Sequence, residues 1–165
     1  MEKDLADFVG PKASYYLDKW RAPLSGNGSD AGFNWAAFFL SGLWLAYRKM
    51  YLATFIFLGI IAVETFVEEM IYASMNVGPQ AQKGIGRIIN LIIAFVCGRF
   101  GNTWYLSHAL KVVNDVRSQG LPEDETAAVL ARRGGRSVWL ALGAMVMFTA
   151  VLVATFIAVE LMSRS

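Results

Sequence analysis

Three carboxylates, Glu64, Glu68 and Glu69, fall inside an otherwise apolar stretch from Met50 to Ala73. An ionised group in hydrocarbon costs about 2.5 to 3.5 kcal/mol on insertion scales, so each needs a partner or a task. Glu64 and Glu68 lie one helical turn apart and share a face. Counted inward from the ends of the apolar stretches, Glu68 and Glu69 sit at the depth of Asn90 and close to Arg87 in the next stretch. Such a set can do one of two things. It can pass protons or ions, or it can pair a carboxylate with an arginine to fasten two helices or face another subunit. The charges crowd one leaflet and form no chain across the membrane, so pairing is the expectation, with Arg87 the partner within the chain. Arg99, about 12 Å by helical rise from the nearer end of its stretch, can snorkel to that surface.

The remaining chemistry is sparse. One cysteine, Cys97, and one histidine, His108, exclude a disulfide framework, a Cys and His zinc cluster and bis-histidine haem ligation within this chain. His108 in W-Y-L-S-H reads as an interfacial hydrogen-bonding residue, and Cys97 as a small apolar one. Gly26, Gly28 and Gly32 miss the G-x-G-x-x-G spacing and follow no strand, so they read as a linker. No nucleophile triad, acid pair or phosphate loop can be assembled. No catalytic residue, metal ligand or cofactor is expected, and the chain does not read as an enzyme.

The elements that must hold these residues follow from composition. Of 165 residues, 56% are hydrophobic and 17% charged, with mean hydropathy +0.44, against about 45 to 50% and 25% in soluble domains. The expected class is an all-α integral membrane protein with three spans, leaving too little chain for a separate globular core. Residues 1–32 form a polar arm with no apolar run after Met1-Glu2-Lys3, hence no signal peptide, and a short helix opened by Pro11 puts Tyr16 and Trp20 on one face. Residues 33–49 hold fifteen uncharged positions, Phe33 to Tyr47, about 22 Å as a helix and too short to cross about 30 Å. They read as a re-entrant or interfacial half-helix. The spans are 50–73, 86–107 and 137–162, with an external loop at 74–85, an extension of the second helix to 119 and a short helical segment at 120–136. Leu106, Leu110, Val113 and Val116 stripe the extension; acids at 123–125, bases at 132–133 and Gly134 frame a helix beyond Pro122.

Orientation follows from the cations. Lys3, Lys12, Lys19, Arg21, Arg48, Lys49, Lys111, Arg117, Arg132, Arg133 and Arg136 fall on one side, and Lys83, Arg87 and Arg164 on the other. The first side should be cytoplasmic, with the amino terminus there and the carboxyl terminus external. Trp35, Trp44, Arg48, Lys49, Trp104, Tyr105 and His108 are the expected anchors at the interface. A formal charge of +2 gives no argument for nucleic acid. The bilayer, a bound lipid and other membrane protein subunits are the expected contacts.

Three stretches, GPKASYYLDKWR from Gly10, FNWAAFFLSGLWLAYRKMY from Phe33 and FGNTWYLSHAL from Phe100, resemble the bacterial membrane proteins grouped as domain of unknown function 2628. The resemblance covers roughly the first 110 residues. It implies a small protein of the bacterial inner membrane and supplies no reaction. Ser41, and Leu43 where members often carry a proline, imply a straighter half-helix here. The functional expectation is an accessory, structural or assembly subunit of a larger membrane complex; the alternative is a small homo-oligomeric channel or transporter component using the intramembrane carboxylates. Topology reporters fused at residue 1 and residue 165 should report opposite sides of the membrane; the same side for both would mean that Phe33 to Tyr47 crosses it, giving four helices, or that one of the three spans does not.

Overall fold

The computed structural model describes residues 1–163, so Arg164 lies outside the described residues. Eight helices follow one another: α1 Glu2–Val9, α2 Ala13–Leu24, α3 Trp35–Leu40, α4 Gly42–Tyr47, α5 Tyr51–Met75, α6 Pro79–Arg117, α7 Glu123–Arg133 and α8 Val138–Ser163. Three of these segments are long and apolar enough to cross a membrane. At 1.5 Å per residue α5 and α8 extend about 38 Å, which suits the hydrocarbon and its borders, while the 39 residues of α6 reach about 58 Å and must project beyond it.

The projecting part of α6 is the mast of a packed cap. Tyr105, Ala109, Val113 and Val116 run down one of its faces with no exposure. Of the expected stripe, Leu106, Val113 and Val116 are buried and Leu110 packs against the core, and the ring of Tyr105 fills the space beside Leu106. Against it pack α1, α2 and α7. The polar arm contains a helix, α1, that its charged composition concealed: Leu5, Phe8 and Val9 form an apolar edge buried to within 1%. The arm and α7 thus supply the globular core that so small a chain was not expected to have, and α7, whose Leu130 is fully buried, rests on α1. Gly134, just past α7, lies so close to the Phe8 carbonyl that a Cβ would stand 2.0 Å from its oxygen. The Gly135 N–H donates to that carbonyl at 2.7 Å. A side chain at 134 would force the connection into α8 off the cap.

Charges lock the cap from outside. Arg117, at the end of α6, donates through Nε to Asp4 at 3.2 Å and through Nη1 to Glu123 at 2.6 Å, joining α1, α6 and α7. Arg133 pairs with Asp115.

Residues 33–49 enter the membrane region as two short helices. The expected straighter half-helix is overturned at Ser41, whose φ of 44° and ψ of −117° end α3 and begin α4. A β-carbon residue held there carries about 1 to 3 kcal/mol of strain, which its surroundings must impose. They do so by tying both ends at the cap side. Asn34 donates from its backbone to the Gly98 carbonyl at 2.7 Å, and the Tyr47 carbonyl accepts from Ser137, at the foot of α8, at 2.9 Å. Between them α3 packs on α6, and α4 between α5 and α8. The close approach of α3 requires Gly98, where a Cβ would fall 2.4 Å from the Phe33 ring. The two short helices thus form a hairpin whose turn at Ser41 is half-buried, with Phe39 and Leu40 beside it exposed.

Two buried asparagines hold that hairpin. Asn34 Oδ1 caps α3 by accepting from the Ala37 N–H at 2.9 Å, and its Nδ2 donates to Asn102 Oδ1 at 2.7 Å. Asn102 Nδ2 in turn donates to the Ala31 and Gly32 carbonyls at 3.0 and 3.1 Å, while its backbone carbonyl accepts from the Trp20 indole at 3.0 Å. Removing one member leaves buried groups unpaired, each at about 1 to 3 kcal/mol.

Asn102→Ala should therefore lower unfolding stability in detergent by about 3 kcal/mol, and Asn34→Ala combined with it should cost less than the sum of the two, since they share a bond. Additive losses would show that the two act separately. A second expectation concerns pH. The Arg117 hydrogen bonds hold both the Asp4 and the Glu123 carboxyls below their ordinary values. Groups depressed in the folded state contribute stability above their unfolded pKa and lose it as pH falls through the folded one. Protease resistance of the cap should thus be full at neutral pH and fall on acidification below about pH 4. In Arg117→Gln it should be lower at neutral pH and change less on acidification.

Candidate functional site

The α5 face that carries Glu64, Glu68 and Tyr72 turns toward α6 and α8. The Tyr72 hydroxyl is hydrogen-bonded to Glu68 Oε1. Glu68 faces α6 at Gly86, where a Cβ would lie 3.6 Å from its Oε1. Glu64 and Glu68 line a pocket of about 440 Å³ together with Asn90 of α6, Phe148 and Thr149 of α8, and Ser41 at the turn between α3 and α4. Glu64 is thirteen residues into α5, about 20 Å from its cap-side end, so the turn at Ser41 and the carboxylate meet about halfway along that helix. Asn90 Nδ2 is occupied by the Gly86 carbonyl at 2.8 Å. Glu64 Oε1 is buried and has no hydrogen-bond partner.

Arg87 does not complete this set. It is exposed, and among the described residues no ion pair joins it to Glu64, Glu68 or Glu69. Glu69 lies next to Glu68, outside the pocket lining. Arg99 is paired with Asp30 of the linker at 3.1 Å, so an acidic residue of the arm meets it where snorkelling alone was expected. What the arrangement can do chemically is bind a cation or a proton between two carboxylates, or receive a cationic side chain from another chain.

Of the expected interface anchors, several belong to the core. Trp44 is 2% exposed, Tyr105 is fully buried and Arg48 is 5% exposed. Tyr105 is the hub of an aromatic cluster, its ring centroid 5.0 Å from Tyr16, 5.3 Å from Trp20 and 5.9 Å from Phe8 and from Trp44. Arg48 lies over this cluster, its guanidinium carbon 4.5 Å from the Tyr16 ring and 4.9 Å from the Tyr105 ring, with Nη2 donating to the Tyr16 hydroxyl at 2.8 Å. These three pack inside the fold, where the arm folds back over them. Lys49 reaches across to the Arg132 carbonyl at 2.9 Å, and His108 lies half-buried with its ring 5.7 Å from Phe8. Trp35 and Trp104 remain exposed to the surroundings. Sequence reasoning missed Asn34 and Asn102, whose signal was an amide inside each apolar motif, and Ser41, which gave none.

The residues that build the hairpin, its asparagine tie and the aromatic cluster fall largely in one continuous region. No curated protein and no solved structure matches the chain. A family model described as protein of unknown function (DUF2628) matches residues 17–111; that is more than half of the chain, and the chain belongs to this family.

Proposed function

We propose that this protein is a small accessory or assembly subunit of a larger protein complex in the bacterial inner membrane, without catalytic activity of its own, and with its cap and amino terminus in the cytoplasm. The carrying observation is the unmatched pair Glu64 and Glu68. They stand inside a span, one carboxylate oxygen is buried without a partner, and no arginine or lysine among the described residues pairs with them. A buried charge left alone is strongly destabilising, whereas a cation from a neighbouring subunit satisfies it. The spans support the same reading, since only 11%, 17% and 6% of their most apolar windows are buried; three helices so little enclosed build no pathway wall by themselves. The eleven cations on the cap side favour the cytoplasmic placement.

The second reading, a homo-oligomeric channel or transporter component, is favoured by one feature: a helix broken at Ser41 in the same pocket as the carboxylates, an arrangement that suits ion coordination. Isolation of the native protein in mild detergent separates the two. A stoichiometric complex with other membrane proteins supports the subunit reading, and a pure homo-oligomer the channel. Glu64→Gln combined with Glu68→Gln should release the protein from the complex, at least tenfold weaker, with its own fold intact; a variant that assembles normally but abolishes an ion flux would sink the subunit reading.

A further inference from the structure

A second pocket, of about 500 Å³, opens where the arm meets the re-entrant hairpin. Lys12, Arg48 and Arg136 line it, and no carboxylate does. Arg48 is only 5% exposed, and its Nε has no hydrogen-bond partner among the described residues. Arg136 Nη1 donates only to the Tyr47 hydroxyl, at 3.3 Å, and none of the three cations is ion-paired among the described residues. A buried guanidinium supported by aromatic faces and a neutral phenol, without a counter-charge, leaves a positive charge at the pocket that an anion seated there would offset. The pocket's height is fixed by the chain: Arg48 stands three residues before α5 and Arg136 two before α8, so the cations lie where two spans begin, at headgroup level. The other wall is apolar and open toward the bilayer, with Trp35 64% and Leu40 49% exposed.

We propose that this pocket binds an anionic phospholipid, its phosphate on Arg48, Arg136 and Lys12 and an acyl chain along Leu40 and Leu43. Charge alone would suit a free phosphate equally. The apolar wall continuous with the hydrocarbon selects the lipid, because it adds burial that a small anion cannot use. The site lies apart from Glu64 and Glu68 and does not depend on their role.

The test uses the full chain in mild detergent, with phosphatidylglycerol, phosphatidylcholine and inorganic phosphate as probes, and reads bound lipid by native mass spectrometry and the melting temperature. Phosphatidylglycerol should bind at least tenfold more tightly than phosphatidylcholine, and millimolar inorganic phosphate should leave the melting temperature unchanged. Arg48→Gln also removes packing from the core, so the decisive variant is Lys12→Gln with Arg136→Gln, both exposed at the rim. It should keep the lipid-free melting temperature and lose phosphatidylglycerol affinity by roughly fivefold per cation removed. Equal binding of the two lipids, or a preference untouched by the double variant, would overturn the proposal. Stabilisation by inorganic phosphate matching that by phosphatidylglycerol would replace the lipid with a soluble anion.

Discussion

The hydrogen bond between Asn34 and Asn102 is the constraint on which the rest of the molecule depends. Few side chains could take its place. Asn34 must cap α3 with its oxygen and still have donors to spare, and Asn102 must accept from it while donating to two carbonyls of the incoming linker. A carboxylate would lack the donors, a hydroxyl would lack the reach, and an apolar residue at 102 would strand the Asn34 amide and two linker carbonyls in a dry site. Because Trp20 donates to the backbone carbonyl of Asn102 itself, the same residue fixes the arm, the linker and the hairpin to one turn of α6. The strained turn at Ser41 follows: once Asn34 and Tyr47 are both held at the cap side, the thirteen residues from 35 to 47 can only go in and come back.

The cap performs for the membrane part what a longer protein would do with more helices. Its order comes from burial along α6 and from Arg117 bridging α1 and α7, and it ends at Gly134 and Gly135, pinned on Phe8. That contact sets where α8 starts, and the Ser137 bond to Tyr47 sets it against the hairpin. The placement of the third span is thus governed by contacts outside the span. This is consistent with the physics of the bilayer, where apolar side chains gain nothing by leaving lipid for one another and specificity has to come from close packing and polar ties.

The division into spans and cap helix was legible because each rests on a bulk property: length of apolar run, charge at helix ends, glycine and proline punctuation; the break of residues 33–49 at Ser41 was not, since a straighter half-helix was expected there. Residues 123–133 announced their helix through acids at one end and arginines at the other. The short α1 did not, because Glu2, Lys3, Asp4 and Asp7 mask an apolar edge only three residues wide, and that edge means something only once α6 and α7 lie beside it. Arg48 and Tyr105 were misplaced for a related reason. An arginine and a tyrosine at a span end are read as interfacial by composition, and only the return of α2 over them, a long-range event, turns an interface into a core. The carboxylates were found at once, since the cost of charge in hydrocarbon is independent of fold, but their missing partner could be seen only when Arg87 turned outward.

A cap and hairpin held by polar ties beside spans joined mainly by apolar contact create an asymmetry with consequences. The α5 helix packs along α4 and α8 and meets α6 near its far end, where Tyr72 and Glu68 approach Gln82 and Gly86; on the cap side a groove of about 820 Å³ separates the two helices. The chain therefore spends its strong interactions on fixing the ends of the spans and the turn at Ser41, and few on joining the spans to each other. In a bilayer such faces exchange lipid for protein at little energetic difference, so what decides association is the polar group that lipid cannot satisfy. Among the described residues the Glu64 carboxyl is a group of this kind, one of its oxygens buried without a hydrogen-bond partner.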